Sequence, residues 1–413
     1  MQPADRLHAL DAVRAYALLL GVVLHSAAAF LEGFPIPMWL DQPSSGAAVI
    51  YYTIHMFRMS AFFLIAGFFA RVLVERRGVQ AFIKDRAKRV AVPLFLFGPV
   101  VMIMIPVGLV LGALPHGTDF LMQLVQAPQP PPAATEAAPG GALAAINLAH
   151  LWFLYYLLIF YALALAIRWL VLAVDPRGVL AAACDRVVAF VMRGVWGPVL
   201  LALPVAVYLW QLQSWTEWLG LPAPFSLVPN TMAMIGYGMA FGLGWLLNRQ
   251  TQALLDLQKL WLVYLVLAVA LTIFCLSTIG TTPRWQGPTL AGTDRILYTA
   301  AYVVGLWCWV FAFVGAAVRF LSSASPVTRY VADASYWIYL MHMATVLMFI
   351  TLLRPFDWHW SIKLAIIVGG SMPILLVTYH YLVRFTWIGA ILNGRRHPRP
   401  EKAPPADTAP APG

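Results

Sequence analysis

The chain has 413 residues, of which 61% are hydrophobic and only 11% charged, and its mean hydropathy is +0.77. Soluble domains sit nearer half apolar and a quarter charged, so this composition excludes an ordinary soluble protein and points to an all-α integral membrane protein. The formal net charge of +10 raises the question of a nucleic-acid partner, and the placement of the charges answers it.

Apolar runs of about 20 residues can cross a hydrocarbon core ~30 Å thick. Ten such runs occur, near residues 11–31, 47–74, 91–114, 148–172, 195–212, 230–248, 260–279, 295–320, 336–353 and 361–384. Asp5, Arg6, Asp11 and Arg14 interrupt any cleavable leader pattern, so the first helix is expected to stay in the mature protein. With the N-terminus in the cytoplasm, the inside segments are 1–14, 71–90, 168–194, 249–259, 319–335 and 384–413, and they hold 22 of the 27 Lys and Arg. The outside segments hold only Arg284, Arg295, Arg354 and Lys363, and Arg58 falls within a helix. This asymmetry predicts cytoplasmic N- and C-termini, in agreement with an even helix count. It accounts for the basic balance with no nucleic acid involved.

The first inside segment, "RVLVERRGVQAFIKDRAKRVAVP", carries seven basic residues. A stop-transfer anchor accounts for it. An anionic partner, either membrane lipid headgroups or a phosphorylated ligand, accounts for it equally. Residues 127–145 are rich in Pro, Ala and Gly and are expected to form a flexible outside loop. The Pro/Ala-rich tail, 391–413, is expected to be disordered, leaving 1–390 as the membrane domain. Gly238 and Gly242, four apart in "GYGMAFGLG", suggest close helix packing. Cys184, Cys275 and Cys308 show no paired spacing, and neither a disulfide framework nor a metal site is expected from them.

The informative residues are the polar ones inside the apolar runs. Arg14 and His25 are eleven apart in the first helix, three turns plus about 20°, so they face the same way with roughly 16 Å between them along the axis. Asp11 is three residues before Arg14 and can pair with it. A charge near a helix centre costs about 2.5–3.5 kcal/mol even on insertion scales, so such residues normally face a cavity or a partner. Arg14 reads either as a snorkelling end anchor or as a channel-facing cation, and His25 either as a hydrogen-bonded core histidine or as a base. In the second helix His55 and Arg58 share a face, Arg58 at about the depth of His25. The helices offer it no buried carboxylate, so its counter-charge is a ring of backbone carbonyls, a ligand, or a developing oxyanion. His150 and Trp152 are placed at the outer boundary of the fourth helix, where an interfacial aromatic needs no function. Tyr339 and His342 are three apart in the ninth helix, His342 near mid-membrane. No HxxxH-type spacing favours a metal, and histidine suits acid–base chemistry because its ordinary pKa is near 6.5.

Five segments in order carry a resemblance to a known family: Arg14 and His25 with ten residues between them, "HMFRMSAFFLIAGFF", the RxxR at Arg86 and Arg89, "HLWFLYYLL", and "SYWIYLMH". Together they resemble the membrane-bound acyltransferase family 3, and most closely its glucans biosynthesis protein C branch. Ala66, before Gly67 and Phe68, stands where a serine is often found, which removes any hydroxyl role there. No hydrolase domain of the SGNH type is seen after the helices. The resemblance implies a multi-pass protein of the bacterial cytoplasmic membrane. It implies acetyl-CoA or succinyl-CoA as co-substrate, no bound cofactor, and a carbohydrate acceptor outside the cytoplasm such as a periplasmic glucan. On that basis His25 is the expected general base. Asp11 holds Arg14 toward the donor channel, Arg58 stabilises an oxyanion or holds a succinyl carboxylate, and Arg86 and Arg89 hold CoA phosphates. His55, His150, Trp152, Tyr339 and His342 serve the acceptor or support the site.

A proton-coupled transporter is the competing class. Against it, the sequence shows no inverted repeat, no paired Gly/Pro-broken helices and, Asp11 at a helix end apart, no carboxylate in the membrane runs for a proton relay.

Overall fold

The computed structural model describes residues 3–34, 41–126, 143, 146–250, 252–323, 325–394 and 396–398, and among these no strand occurs. The helices are α1 (Pro3–Ala27), α2 (Ser45–Arg86), α3 (Val92–Ala113), α4 (Thr118–Gln126), α5 (Trp152–Val174), α6 (Val179–Met192) and α7 (Gly197–Gln211). They continue with α8 (Thr231–Leu247), α9 (Ala253–Ile279), α10 (Gly292–Phe320), α11 (Pro326–Leu353), α12 (Trp360–Thr378) and α13 (Trp387–Leu392). Eight helical runs among the described residues are long and apolar enough to cross a membrane. One of them, Ser45–His116, is 72 residues long and contains both α2 and α3. α8, at 17 residues, is equally apolar but shorter. Each of the ten apolar runs read from the sequence therefore coincides with a helix.

Local chemistry sets several starts. Ser44 caps α2, Asn230 caps α8, and Ser325 caps α11 with Pro326 following it, each side chain accepting from a backbone N–H that the helix leaves orphaned. The segment 71–90, expected as a connecting loop, is instead helical. α2 runs on to Arg86 and breaks only at Gly78, whose φ of 78° is left-handed, a conformation glycine adopts without penalty. Phe82 on the far side of the break is buried against Tyr161, the rings edge-on at 5.4 Å. That contact holds the short helix down.

α1, α10 and α11 form the inner layer, with 61%, 72% and 67% of their most apolar stretches buried. α5, α9 and α12 form an outer layer, only 17–22% buried. Outward-facing Phe95, Ile103, Leu163, Trp169 and Ile273 are exposed, as expected of a lipid-facing surface and not of a soluble one. α1 packs against α2, α10, α11 and α12, so the helix with the polar stripe is at the centre. α3 lies on α11 and α2 on α8. A methyl group at Gly108 or Gly112 would strike the α11 backbone at Ala344 or Met348. Gly67 and Gly244 likewise place α2 and α8 in backbone contact, the small-residue packing that membrane helices favour.

Lys363, in the first turn of α12, is fully buried and paired with Asp41 at 2.8 Å. Two expectations change. The close contact of α8 runs through Gly244, while Gly242 meets nothing within 4 Å and Gly238 faces only the Phe160 ring. The tail begins later than 391: Asn393 donates to the Tyr379 hydroxyl and Arg396 to the Phe385 carbonyl. The remainder of the expected tail, 399–413, lies outside the described residues, as does the Pro-rich stretch 127–145 apart from 143.

Candidate functional site

Two chambers lie along α1. The first, about 390 Å³, is lined by Arg14, Arg76, Arg77, Arg86 and Arg89 with Asp85 and Asp333. The second, about 380 Å³, is lined by His25, His55, Arg58, His150, Trp152 and His342 with Tyr51, Tyr237 and Tyr339. Leu18, Phe62, Phe153 and Tyr339 line both. The stripe expected on α1 is present: Arg14 faces the arginine chamber, His25 the histidine chamber, and Leu18 the boundary. Arg14 of α1 and Leu392 and Asn393 at the end of α13 line the same chamber.

In the arginine chamber Asp11 pairs with Arg14 at 3.2 Å, and the Arg14 guanidinium lies 5.9 Å above the Phe69 ring. Asp85 bridges the expected pair, 2.8 Å from Arg86 and 3.1 Å from Arg89. Arg86 also lies over Phe82 and Tyr161, at 5.7 and 5.6 Å, and Tyr336 donates to the Arg89 carbonyl. Lys84 and Lys88, in the same basic segment, are exposed and do not line the chamber. Arg76 and Arg77 line it instead, from the turn before Gly78. Five arginines against two carboxylates make this a site for a polyanion. Guanidinium forks match phosphate geometry.

The histidine chamber gathers its four histidines from four separate helical elements. His342 on α11 is the hub, its ring centroid 5.2 Å from His25 and 4.9 Å from His150. His342 Nδ1 lies 2.7 Å from the Tyr339 carbonyl. A carbonyl only accepts, so Nδ1 carries the proton and Nε2 the lone pair. Nε2 is buried with no partner among the described residues. His150 Nε2 faces the Leu340 carbonyl at 3.3 Å, which leaves its Nδ1 as the buried, unpartnered atom. Tyr339 donates to the His150 carbonyl at 2.7 Å. His150 and Trp152, expected at the outer boundary, are buried at 7% and 4% exposure. The turn Ala149–Leu151 folds them inward beneath α11. His55 is stacked on Tyr51 at 5.5 Å, and Tyr51 on Trp218 at 5.9 Å. Among the described residues no group of three His, Cys, Asp or Glu side chains is disposed to share a metal ion.

Arg58 enters this chamber across Gly21. A methyl group at Gly21 would overlap Arg58 Nη1 and approach His342 Nε2 at 4.0 Å. Arg58 Nε is buried without a partner among the described residues, and no carboxylate lines the chamber. Among the described residues the one fully buried glutamate, Glu217, is in the turn before α8 and accepts from Thr289. The chamber thus holds a cation that faces no carboxylate and two histidine lone pairs. Such an arrangement can take a proton and stabilise a negative oxygen in one place.

Sequence reasoning passed over Gly21, Arg76, Arg77, Tyr51, Tyr237 and the boundary residues Leu18, Phe62 and Phe153. Some had a signal. Leu18 and Gly21 complete the 14–18–21–25 stripe, Phe62 is one turn beyond Arg58, and Phe153 is three residues beyond His150. Tyr51 likewise is one turn before His55, whereas Tyr237 had none, since only the packing of α2 and α8 brings it in.

Comparison with known proteins finds that the family model for an acyltransferase domain, acyltransferase 3, matches residues 7–380. Two proteins named glucans biosynthesis protein C are similar over part of the chain. The one from Escherichia coli strain SMS-3-5 is 34% identical over 92 residues, 22% of this chain and 24% of its own length. The one from Shigella dysenteriae serotype 1 is 33% identical over the same share. The chain thus matches about a quarter of the length of these relatives. No solved structure matches.

Proposed function

Because this chain belongs to the acyltransferase 3 family and is a multi-pass membrane acyltransferase, we propose that it carries a short acyl group, acetyl or succinyl, from cytoplasmic acyl-CoA to a hydroxyl of a carbohydrate on the other side of a bacterial cytoplasmic membrane. A periplasmic glucan is the proposed acceptor, from the name shared by the similar proteins. The observation that carries this reading is the pair of chambers on one helix: a polyanion site around Arg86 and Arg89, and a proton-accepting site around His25, with Arg14 and His25 facing into them from one side of α1. The charge asymmetry of the loops supports a cytoplasmic side for the arginine chamber.

CoA phosphates lie against Arg86 and Arg89 with Arg76 and Arg77 beside them. The thioester reaches along α1, past Arg14, toward His25. An acceptor hydroxyl enters the histidine chamber and gives its proton to His25 as its oxygen attacks the thioester carbonyl. The carbonyl π pair moves onto oxygen, and Arg58 faces that oxyanion. Collapse breaks the C–S bond, and the CoA thiolate takes the proton back from His25. The new C–O ester leaves with the acceptor. His150 and His342, each pinned by a carbonyl in one tautomer, keep the walls rigid around His25. With succinyl-CoA, Arg58 also has a carboxylate within the chamber to neutralise.

The test is transfer of label. Purified protein in lipid vesicles is incubated with radiolabelled acetyl-CoA or succinyl-CoA and linear glucan. The expected result is label esterified to glucan, lost on mild alkaline treatment. Movement of glucan or CoA across the vesicle without esterification would instead establish a carrier.

A further inference from the structure

Four side chains line both chambers, and nothing in the chemistry of either chamber uses them. Leu18 is on α1, about 6 Å along the axis from Arg14 and about 10 Å from His25. Phe62 and Phe153 meet edge to face at 4.3 Å. Phe153 and Tyr339 meet the same way at 5.8 Å. The three rings are 7%, 2% and 8% exposed, and the Tyr339 hydroxyl is fixed to the His150 carbonyl at 2.7 Å. Behind Phe153 lies Phe63, at 5.1 Å and fully buried. The ring is therefore backed by packed core. It cannot yield sideways without moving its neighbours, because protein interiors are packed to near-crystalline density.

We infer that Leu18, Phe62, Phe153 and Tyr339 form a filter that selects the acyl group by girth. This rests on the proposed acyl-CoA donor. A donor anchored by its phosphates in the arginine chamber meets His25 only by sending its acyl end first through this ring, followed by the slender pantetheine arm. A linear acyl group such as acetyl or succinyl has no greater cross-section than the arm behind it. A branched or aromatic acyl group does, and to pass it must separate rings in edge-to-face contact. The filter thus stands apart from the histidines and from Arg58: it decides which thioester arrives, not how fast it reacts once there.

The experiment compares transfer from acetyl-, succinyl-, isobutyryl- and benzoyl-CoA to the same glucan by wild type, Leu18→Ala, Phe62→Ala and Leu18→Phe. The readout is each thioester's kcat/KM relative to that of acetyl-CoA in the same protein. Wild type is expected to discriminate against isobutyryl and strongly against benzoyl. Leu18→Ala and Phe62→Ala are expected to raise the benzoyl-to-acetyl ratio by about tenfold or more, the usual scale for adding or removing a few carbons in an apolar pocket. Leu18→Phe is expected to lower the isobutyryl ratio further, and because Leu18 is only partly buried it reports even where a ring deletion fails to fold. Equal use of benzoyl- and acetyl-CoA by wild type overturns the filter, as does an unchanged ratio in the Leu18 variants that still transfer acetyl. Failure of wild type to transfer from any thioester overturns the donor reading itself, and the filter with it.

Discussion

The two chambers are nearly equal in volume and opposite in how they treat charge. In the arginine chamber Asp11 holds Arg14, and Asp85 sits between Arg86 and Arg89. Arg14 and Asp11 are each 41% exposed, so water screens them and the pair is worth little on its own. In the histidine chamber Arg58 is partly buried, its Nε without a partner among the described residues, and faces no carboxylate. The difference teaches where a charge is stored for binding and where for reaction. A screened, pre-paired cluster recognises a polyanion by exchanging partners. An unmatched cation acts on charge that appears only during the reaction, and such preorganised electrostatics usually contributes more to a catalysed step than any other single effect.

The sharpest way to break this contrast is at His25. His25→Ala should reduce acyl transfer by about 10²–10⁴-fold at unchanged protein level, the usual worth of a general base. Retained transfer, measured with labelled donor, would remove the histidine chamber from the chemistry. Arg58→Ala comes next, with an expected loss of about 10²–10³-fold in kcat, as for the removal of an oxyanion donor. Should KM for succinyl-CoA rise while acetyl transfer stays fast, Arg58 serves the acyl carboxylate instead. Gly21→Ala isolates the position of Arg58 from its charge. The added methyl displaces Nη1, and kcat should fall by about tenfold to 10²-fold, as misplacing a catalytic group by about 1 Å does. A fully active Gly21→Ala would show that Arg58 has room to shift. The smallest effects belong to the other chamber: Arg86→Ala and Arg89→Ala should each raise KM for acyl-CoA by roughly tenfold with kcat nearly kept, and the wild-type KM should itself rise with salt. A change confined to kcat would show that these arginines do more than hold the donor.

Much of this site could be read before folding because helices are periodic. Arg14 and His25 share a face by arithmetic alone, and so do His55 and Arg58. The need to satisfy every backbone group inside a bilayer forces apolar runs into helices, and so the ten runs were legible as elements. Contacts between elements were not. His25 and His342 belong to helices at opposite ends of the chain, yet their rings are 5.2 Å apart. His150 looked interfacial because its neighbours are aromatic, and only the turn at Ala149–Leu151 sends it inward. Lys363 looked like a boundary charge until Asp41 on the α1–α2 connection met it.

The sequence by itself determined the apolar helices, the polar stripe on α1 and the basic segment that becomes one chamber wall. These follow from solvent and from the 3.6-residue period, which act on each segment separately. Only the tertiary structure decided that α1 is central and that Gly21 admits Arg58. It also decided that four histidines share a cavity and that Leu18, Phe62, Phe153 and Tyr339 stand between the two chambers. Those facts depend on which faces meet when α2, α10, α11 and α12 pack around α1, and close packing couples residues that no local pattern relates.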